Sequence, residues 1–463
     1  MTLIKSISGI RGIIYDNDSK GLSTKEITHC IKQFVMWVKN NNLSNKKSIA
    51  LGRDGRLSGN SICNLIKDLL ISYGLNVVDL GLTTTPSVQL AIVSEKCIAG
   101  IMVSASHNPI NWNGLKFLNN NGEFLSKNQA EEVFNSSTDL KVEFDNNASI
   151  VSINYMHKHI QSILKLVDVD VNRIAAKSFK VVVDGINSSG GVFVPYLLDK
   201  LGVEVIKLNC IPNGKFSHPP EPLPNNLSQL AQVVKDTRAN FGIAVDPDVD
   251  RLVLVCEDGS FFGEENTIVI IAKHILSNYP GSSVVSNLST TQAVKDIAVE
   301  FNATHFESAV GEANVVDLMK KKKSIIGGEG SGGIIFSTSH YGRDALVGIA
   351  LFLSYISKVN LSVKQIKSLL PTYHMIKHKI LLDKNKSFDF HNFIDYKVQF
   401  CQNNNLNYGL IDGIKIYYAC GSWSHIRMSN TEPLIRLIIE SKTKERAFEI
   451  KSTIINEINM LNT

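Results

Sequence analysis

The sequence predicts an α/β protein: three related α/β domains with mixed, mostly parallel sheets, and a smaller C-terminal α+β domain, arranged around a central cleft. Short apolar runs alternate with helix-length segments in a pattern that occurs three times, as in parallel strands joined by helical crossovers. After about residue 370 the pattern changes to strands at residues 414–418, 425–427 and 434–439, followed by a helix from Lys444. The chain of 463 residues can hold this many units, since one domain takes about 150 residues.

The domain boundaries are placed where one copy of the pattern ends and the next begins. The predicted domains span residues 1–150, 151–257, 258–370 and 371–463.

The first copy has predicted strands at residues 48–51, 76–80 and 98–103. Ser58 is the expected N-cap of the helix after the first strand. The third strand ends in a polar loop, residues 104–109, with the sequence Ser-Ala-Ser-His-Asn-Pro.

The second and third copies follow the same plan. Their predicted strands are residues 179–183, 204–208, 241–245, 283–286, 305–310 and 324–326. The last strand of each copy again ends in a polar loop, at residues 246–251 and 327–333. Because ligands bind at the carboxyl ends of parallel strands, the three loops are expected to face one cleft.

Composition excludes several classes of protein. With 44% hydrophobic and 20% charged residues the chain is globular, neither disordered nor fibrous. A net charge of +5 suits a small anionic ligand but is too small for nucleic-acid binding. The longest apolar run, residues 345–353, is about half a membrane span and is interpreted as a buried helix. No nucleic-acid partner and no membrane association are therefore expected.

The cysteines and the N-terminus predict a cytoplasmic protein. The seven cysteines are scattered without a C-x-x-C pair, as expected for reduced thiols. The N-terminal residues lack the uninterrupted apolar stretch of a signal peptide.

The first loop offers a serine beside a histidine. Ser106 is either a turn residue whose hydroxyl bonds to local backbone or a nucleophile that carries a covalent group, with His107 next to it. The loop alone leaves both interpretations open.

The second loop gathers Asp246, Asp248 and Asp250 within five residues. Their mutual repulsion is tolerable with a cation between them, and hard oxygen ligands favour Mg²⁺. A calcium loop is rejected because its sixth position requires glycine and here holds Arg251. A phosphatase with an aspartate nucleophile is an alternative, but it leaves the third aspartate unexplained.

The two remaining loops suggest ligand recognition. Glu329 and Ser331 lie among glycines, a combination that suits sugar hydroxyls better than phosphate. Arg427 and Arg436 flank a turn rich in hydroxyls and N–H groups, which is either an anion nest or a tight turn with exposed arginines.

Taken together, the four loops resemble those of the α-D-phosphohexomutase family, in the family's order and over essentially the whole chain. The resemblance implies that Ser106 carries the phosphoryl group and that the three aspartates and Ser106 ligate Mg²⁺. It also implies that Glu329 and Ser331 bind ring hydroxyls. The other residues implied to bind the sugar phosphate are Arg251, Arg427, Ser429, Asn430, Thr431 and Arg436.

Two further segments match family signatures. Residues 8–12 and 113–116 imply that Arg11 and Lys116 lie near the transferring phosphate. Lys116 or His107 is then the candidate proton acceptor for the attacking hydroxyl.

The resemblance implies one Mg²⁺ per chain, a phosphoserine at Ser106 and a sugar bisphosphate as intermediate and activator. The partner implied is a small phosphosugar, and the chain is expected to be a monomer or homodimer. The sugar loop with the following residues 341–346 resembles sequences assigned phosphoglucosamine mutase activity. The alternatives are a phosphomannomutase/phosphoglucomutase and, outside this class, a non-catalytic sugar-phosphate-binding protein.

The chain departs from the family pattern at the sugar loop. Family members often carry histidine at the position of Gly333, and His340 is our candidate to fill the same space.

Overall fold

The computed structural model describes residues 3–6, 9–14, 21–41, 47–138, 147–382, 388–429 and 434–461, and contains four β-sheets in chain order. The first three sheets combine parallel and antiparallel pairs, and all pairs of the fourth are antiparallel. The predicted fold class is confirmed.

The first sheet has seven strands. Its elements are β1 (Leu3–Ser6), β2 (Gly9–Ile13), α1 (Thr24–Asn41), β3 (Ser48–Arg53), α2 (Gly59–Ser72), β4 (Asn76–Leu82), α3 (Thr85–Ser94), β5 (Ala99–Val103), β6 (Trp112–Leu118), α4 (Lys127–Asn135) and β7 (Ile150–Ser152). The strand order is β1-β2-β6-β5-β3-β4-β7, with β3, β4, β5 and β7 mutually parallel. Strand β7 begins at residue 150, where the first domain boundary was placed, and that boundary stays a prediction.

The expected cap at Ser58 is not formed. Helix α2 begins at Gly59, and Ser58 has helical dihedral angles and makes no side-chain capping bond. Its hydroxyl accepts a hydrogen bond from Nδ2 of Asn113 instead, 2.9 Å away on β6.

Two short helices, α5 (Met156–Leu164) and α6 (Val171–Ala176), lead to the second sheet. Its elements are β8 (Lys180–Asp184), α7 (Gly190–Lys200), β9 (Glu204–Leu208), a 3₁₀ turn (Pro224–Asn226), α8 (Ser228–Thr237), β10 (Phe241–Val245) and β11 (Leu252–Cys256), in the order β11-β10-β8-β9.

The third sheet repeats this plan. Its elements are α9 (Glu264–Asn278), β12 (Ser283–Asn287), α10 (Ala293–Glu300), β13 (Thr304–Ser308), α11 (Glu312–Lys322), β14 (Ile326–Glu329), β15 (Gly333–Phe336), α12 (Ala345–Lys358) and α13 (Val363–Ser368), in the order β13-β12-β14-β15.

Strand β14 starts two residues later than predicted and extends into the glycines assigned to a loop. A Cβ on Gly327 would lie 2.5 Å from Sδ of Met319, so glycine allows α11 to pack closely on the strand. This extension places Glu329 at the strand's carboxyl end.

The fourth sheet is smaller. Its elements are β16 (His374–Leu381), α14 (Phe390–Asn403), β17 (Asn407–Gly409), β18 (Ile414–Tyr417), a 3₁₀ turn (Ala419–Gly421), β19 (Trp423–Met428), β20 (Leu434–Ser441) and α15 (Lys444–Leu461), in the order β16-β20-β19-β18-β17.

The largest hydrophobic core is shared by the second and third sheets. The apolar run at residues 345–353 lies in α12, which is buried in that core as predicted.

None of the helices in the described part of the chain combines the length and the hydrophobicity that a membrane span requires. None of the six cysteines with described side chains takes part in a disulfide.

Candidate active site

The serine loop follows β5 and holds Ser106 in a left-handed conformation. Ser106 has a φ of 48° and is only 6% exposed. Its N–H donates to Oγ of Ser104 (2.8 Å), whose hydroxyl donates to Oδ2 of Asp54 (2.7 Å). The surrounding loop therefore maintains a backbone conformation that costs an L-residue about 1–2 kcal/mol.

Arg56 holds the serine loop through hydrogen bonds to its carbonyl groups. Its side chain is 1% exposed, and its Nη2 donates to the carbonyls of Ser106 and Asn108, both at 2.6 Å. Its Nη1 donates to the carbonyls of Pro109 (2.6 Å) and Trp112 (2.8 Å). The Nε donates to Asp54 at 3.2 Å, so the whole fork is used to shape the loop. Arg56 was assigned no role from the sequence.

The aspartate loop connects β10 with β11 and meets the serine directly. Oγ of Ser106 donates to Oδ2 of Asp246 at 2.7 Å. Oδ1 of Asp246 accepts the backbone N–H groups of Asp250 (3.1 Å) and Arg251 (3.2 Å). Burial, together with the neighbouring charges of Asp250 and Asp248, raises the pKa of Asp246 well above its usual value.

Each of the other two aspartates has one oxygen bound and one bare. Oδ2 of Asp248 accepts from Lys116 (2.5 Å) and from Oγ1 of Thr85. Oδ2 of Asp250 accepts from Arg343 (2.7 Å) and Lys116 (3.3 Å). Both Oδ1 atoms are buried without a hydrogen-bond donor.

The three aspartates fit a divalent cation. One oxygen from each can be chosen so that the three lie within 4.8 Å of one another. Buried carboxylate oxygens without donors are costly unless a cation binds them, and Mg²⁺ prefers such ligands.

The two candidate proton acceptors differ in charge state. Burial disfavours the Lys116 ammonium, but Asp248 and Asp250 outweigh this effect and raise its pKa, so that Lys116 keeps its proton. Burial, with the positive charges of Arg251 and Arg11, lowers the pKa of His107 well below 6.5. Its Nδ1 lies 3.4 Å from Oγ of Ser106. Both residues therefore stay predictions for the proton acceptor.

The predicted arginines Arg11 and Arg251 flank the serine and aspartate loops. Nη1 of Arg11, on β2, donates to Oδ1 of Asn108 at 3.0 Å. Arg251 donates its backbone N–H to Asp246, and its Nη1 lies 3.7 Å from Glu221.

The sugar loop places Glu329 in a dense set of donors. Its Oε1 accepts from Nδ2 of Asn287 (2.7 Å) and the N–H of Gly311 (3.1 Å). Its Oε2 accepts from Nη1 of Arg343 at 2.6 Å. Ser331 is half-buried in the turn that follows.

The space beside Gly333 is filled by Arg343, whereas our candidate was His340. A Cβ on Gly333 would lie 2.3 Å from Cδ of Arg343. Nε2 of His340 instead lies 3.2 Å from Oδ2 of Asp344. Arg343 was assigned no role from the sequence, and its charge next to the glycine-rich loop was the available signal.

The C-terminal loop forms a second cluster, separate from the aspartates. Arg427 on β19 is the direct cross-strand partner of Arg436 on β20, and like charges at such positions repel each other. Burial lowers the pKa of Arg427. The negative charge of Asp412 opposes this effect and the positive charge of Arg436 adds to it, so that the pKa stays below its usual value. Ser429 donates its N–H to the carbonyl of Leu434 (2.9 Å). The predicted residues Asn430 and Thr431 lie outside the described residues.

The comparisons with known proteins agree with this arrangement. Four family models match in order, described as phosphoglucomutase/phosphomannomutase α/β/α domains I, II and III and the C-terminal domain, at residues 3–142, 157–259, 264–373 and 391–457. A phosphoglucomutase/phosphomannomutase of Thermococcus kodakarensis is 31% identical, with 87% of each chain covered. A probable phosphoglucosamine mutase of Methanococcoides burtonii is 30% identical, with 95% of this chain and 97% of the other covered.

Solved structures share the fold. A phosphoglucomutase/phosphomannomutase family protein from Burkholderia thailandensis superposes with a TM-score of 0.86 at 24% identity, covering 99% of this chain and 97% of the other. An N-acetylphosphoglucosamine mutase from Aspergillus fumigatus, solved with GlcNAc-6P and magnesium, has a TM-score of 0.56 at 13% identity, covering 91% and 85%. The chain therefore belongs to the phosphoglucomutase/phosphomannomutase, or α-D-phosphohexomutase, family of isomerases.

Proposed function

We propose that the chain is a phosphoglucosamine mutase that interconverts glucosamine 6-phosphate and glucosamine 1-phosphate. The observation that carries the phosphoryl-transfer chemistry is the 2.7 Å contact of Ser106 with Asp246, beside two aspartates with bare oxygens. A nucleophilic hydroxyl next to a cation site is what phosphoryl transfer requires. A protein that only binds sugar phosphates needs no such nucleophile.

Asp246, Asp248, Asp250 and an oxygen carried by Ser106 would hold one Mg²⁺ per chain. When bound, the ion neutralises charge on the transferring phosphoryl group.

The chain's own residues supply the remaining roles. Phosphorylated Ser106 gives its phosphoryl group to a sugar hydroxyl, and His107 accepts the proton of that hydroxyl. Lys116, which keeps its proton, and Arg11 offset charge on the phosphoryl oxygens. The bisphosphate then turns over and returns its other phosphoryl group to Ser106.

The non-reacting phosphate belongs at the C-terminal loop in this proposal. Arg427 and Arg436, at directly opposite positions of β19 and β20, would supply positive charge to that anion. Ser429, with Asn430 and Thr431 by sequence, would supply further donors. The sugar's orientation can then reverse while the same loop holds either phosphate.

The acidic sugar loop supports glucosamine as the substrate. Glu329 is accompanied by Glu312, a second buried carboxylate whose pKa is raised to about 7 by burial. An ammonium group on the sugar offers such carboxylates a charged donor, whereas a hydroxyl does not. The second candidate, a phosphomannomutase/phosphoglucomutase, is favoured by the name of the Thermococcus kodakarensis relative.

The test offers glucosamine, glucose and mannose 6-phosphates in parallel to the purified protein, with Mg²⁺ and a trace of the matching bisphosphate. Phosphorus NMR distinguishes isomerisation from phosphate release, and Ser106→Ala is the control that should abolish turnover. Isomerisation of glucosamine phosphate at the highest kcat/KM supports the proposal. Release of phosphate without isomerisation would indicate a phosphatase, and no turnover of any sugar would refute the mutase.

The predicted boundaries at residues 150, 257 and 370, the cytoplasmic location and the monomeric or homodimeric state stay predictions from the sequence.

A further inference from the structure

Arg343, in the turn between β15 and α12, links the aspartate loop to the sugar loop. Its side chain is 12% exposed, with Nη2 2.7 Å from Oδ2 of Asp250 and Nη1 2.6 Å from Oε2 of Glu329. Its Nε lies 3.0 Å from Oε2 of Glu312. We call these four residues the Arg343 bridge.

The bridge is more than a neutralising ion pair. It places one guanidinium among three buried carboxylates, of which Asp250 is also paired with Lys116, and burying charged groups is unfavourable for folding stability even when they are paired. Such a set needs a reason other than stability, and two of its carboxylates are those expected to bind the cation and the sugar.

The fork of the guanidinium sets the orientation of both carboxylates at once. With Oδ2 of Asp250 held, Oδ1 is the oxygen left without a hydrogen-bond donor and free to ligate a cation. With Oε2 of Glu329 held by the same side chain, the two loops are fixed relative to each other. A lysine ammonium carries the same charge but is a single point, so it cannot span both carboxylates with this geometry.

Gly333 provides the room for this side chain. A Cβ at that position would come within 2.3 Å of Cδ and 3.1 Å of Cγ of Arg343. The glycine and the arginine are therefore one structural unit, and an added methyl group must displace the arginine.

We propose that Arg343 is a positioning residue for the phosphohexomutase reaction, orienting Asp250 toward the cation and Glu329 toward the sugar together. The inference rests on the proposed function for the roles of these two carboxylates. Arg343 itself acts through them.

The test uses two substitutions that keep the positive charge, Arg343→Lys and Gly333→Ala. Calorimetric titration with Mn²⁺ reports on Asp250 without any turnover, and KM for the hexose phosphate reports on Glu329. Both variants are expected to bind Mn²⁺ about tenfold more weakly and to raise KM about tenfold, the usual size of effects on groups behind a metal ligand. Gly409→Ala is the matched control, because a Cβ there meets no atom within 4 Å.

A double-mutant cycle tests whether the glycine acts through the arginine. In an Arg343→Ala background the space is vacant, so adding Gly333→Ala should change neither quantity further. Unchanged Mn²⁺ affinity and KM in both single variants would overturn the proposal, as would an undiminished effect of Gly333→Ala in the Arg343→Ala background. If the wild-type protein binds Mn²⁺ but isomerises no hexose phosphate, the proposed function fails while the Mn²⁺ titrations still decide the role of Arg343.

Discussion

Replacing Arg56 with lysine should loosen the serine loop while leaving the charge in place. The guanidinium makes four hydrogen bonds to carbonyls, from Ser106 to Trp112, and a fifth to Asp54. A lysine ammonium has three donors at one point, so at least two of these five bonds are lost.

The expected cost follows from that count. Each buried acceptor left without its donor costs about 1–3 kcal/mol, so the two lost bonds predict a loss of about 2–6 kcal/mol in the free energy of unfolding. Relaxation of the loop would release the backbone strain at Ser106, about 1–2 kcal/mol, and this release would offset part of the loss in stability. The hydroxyl of Ser106 should then leave its position beside Asp246.

Two measurements separate this effect from general destabilisation. Urea unfolding gives the change in stability, and mass spectrometry after incubation with hexose 1,6-bisphosphate gives the phosphorylated fraction of Ser106. The control is Arg53→Lys, because Arg53 makes one bond to the carbonyl of Asp54 (3.1 Å) and is half-buried. The reasoning is refuted if Arg56→Lys matches Arg53→Lys in both stability and phosphorylation.

Three further outcomes are expected. Ser106→Gly and Ser106→Ala should both abolish phosphoryl transfer, but the glycine variant should unfold about 1 kcal/mol less easily because φ is positive; equal stability would mean the conformation is unstrained. Asp248→Asn should weaken Mn²⁺ binding at least about tenfold in calorimetry while exposed Asp258→Asn does not, and chelation should stop wild-type turnover; full activity after chelation would contradict the cation site. Burial lowers the pKa of His305 from 6.5 to about 4, so the folded state resists protonation and stability falls with decreasing pH. Between about pH 7 and about pH 5 the free energy of unfolding should fall by about 2 kcal/mol more in the wild type than in His305→Gln. Urea unfolding at a series of pH values measures this difference, and parallel pH profiles of the two proteins would contradict the prediction.

The loops of the site could be predicted because their signals are local. Ser106, Asp246 and Glu329 each follow an apolar run that ends in polar residues, and strand ends can be identified from such a change. Parallel topology then brings the ends of different strands to one edge. The resemblance added the roles of these loops, and the structure places Ser106 and Asp246 in contact.

The groups that hold the loops could not be predicted in this way. Arg56 contacts residues about fifty positions away, and Arg343 contacts Asp250 ninety-three positions away. Buried arginines are rare, and a charged residue in a loop is normally expected at the surface. The sequence pattern therefore does not distinguish these two arginines from exposed ones.

The buried side chains of Lys116 and Arg343 also explain why three separate sheets form one site. Lys116 comes from the first sheet and reaches Asp248 and Asp250 of the second, while Arg343 from the third reaches the same Asp250. Removing any one sheet would leave buried carboxylates without these partners, so assembly of the three sheets and formation of the site depend on each other. Arg427 stands outside this arrangement, joined to the third sheet through Asp412, whose carboxylate accepts the N–H of Val310 at 3.1 Å. Arg427 thus joins the fourth sheet to the third, as do the ion pair of Lys415 with Glu307 and the hydrogen bond from the N–H of Gln292 to Glu440.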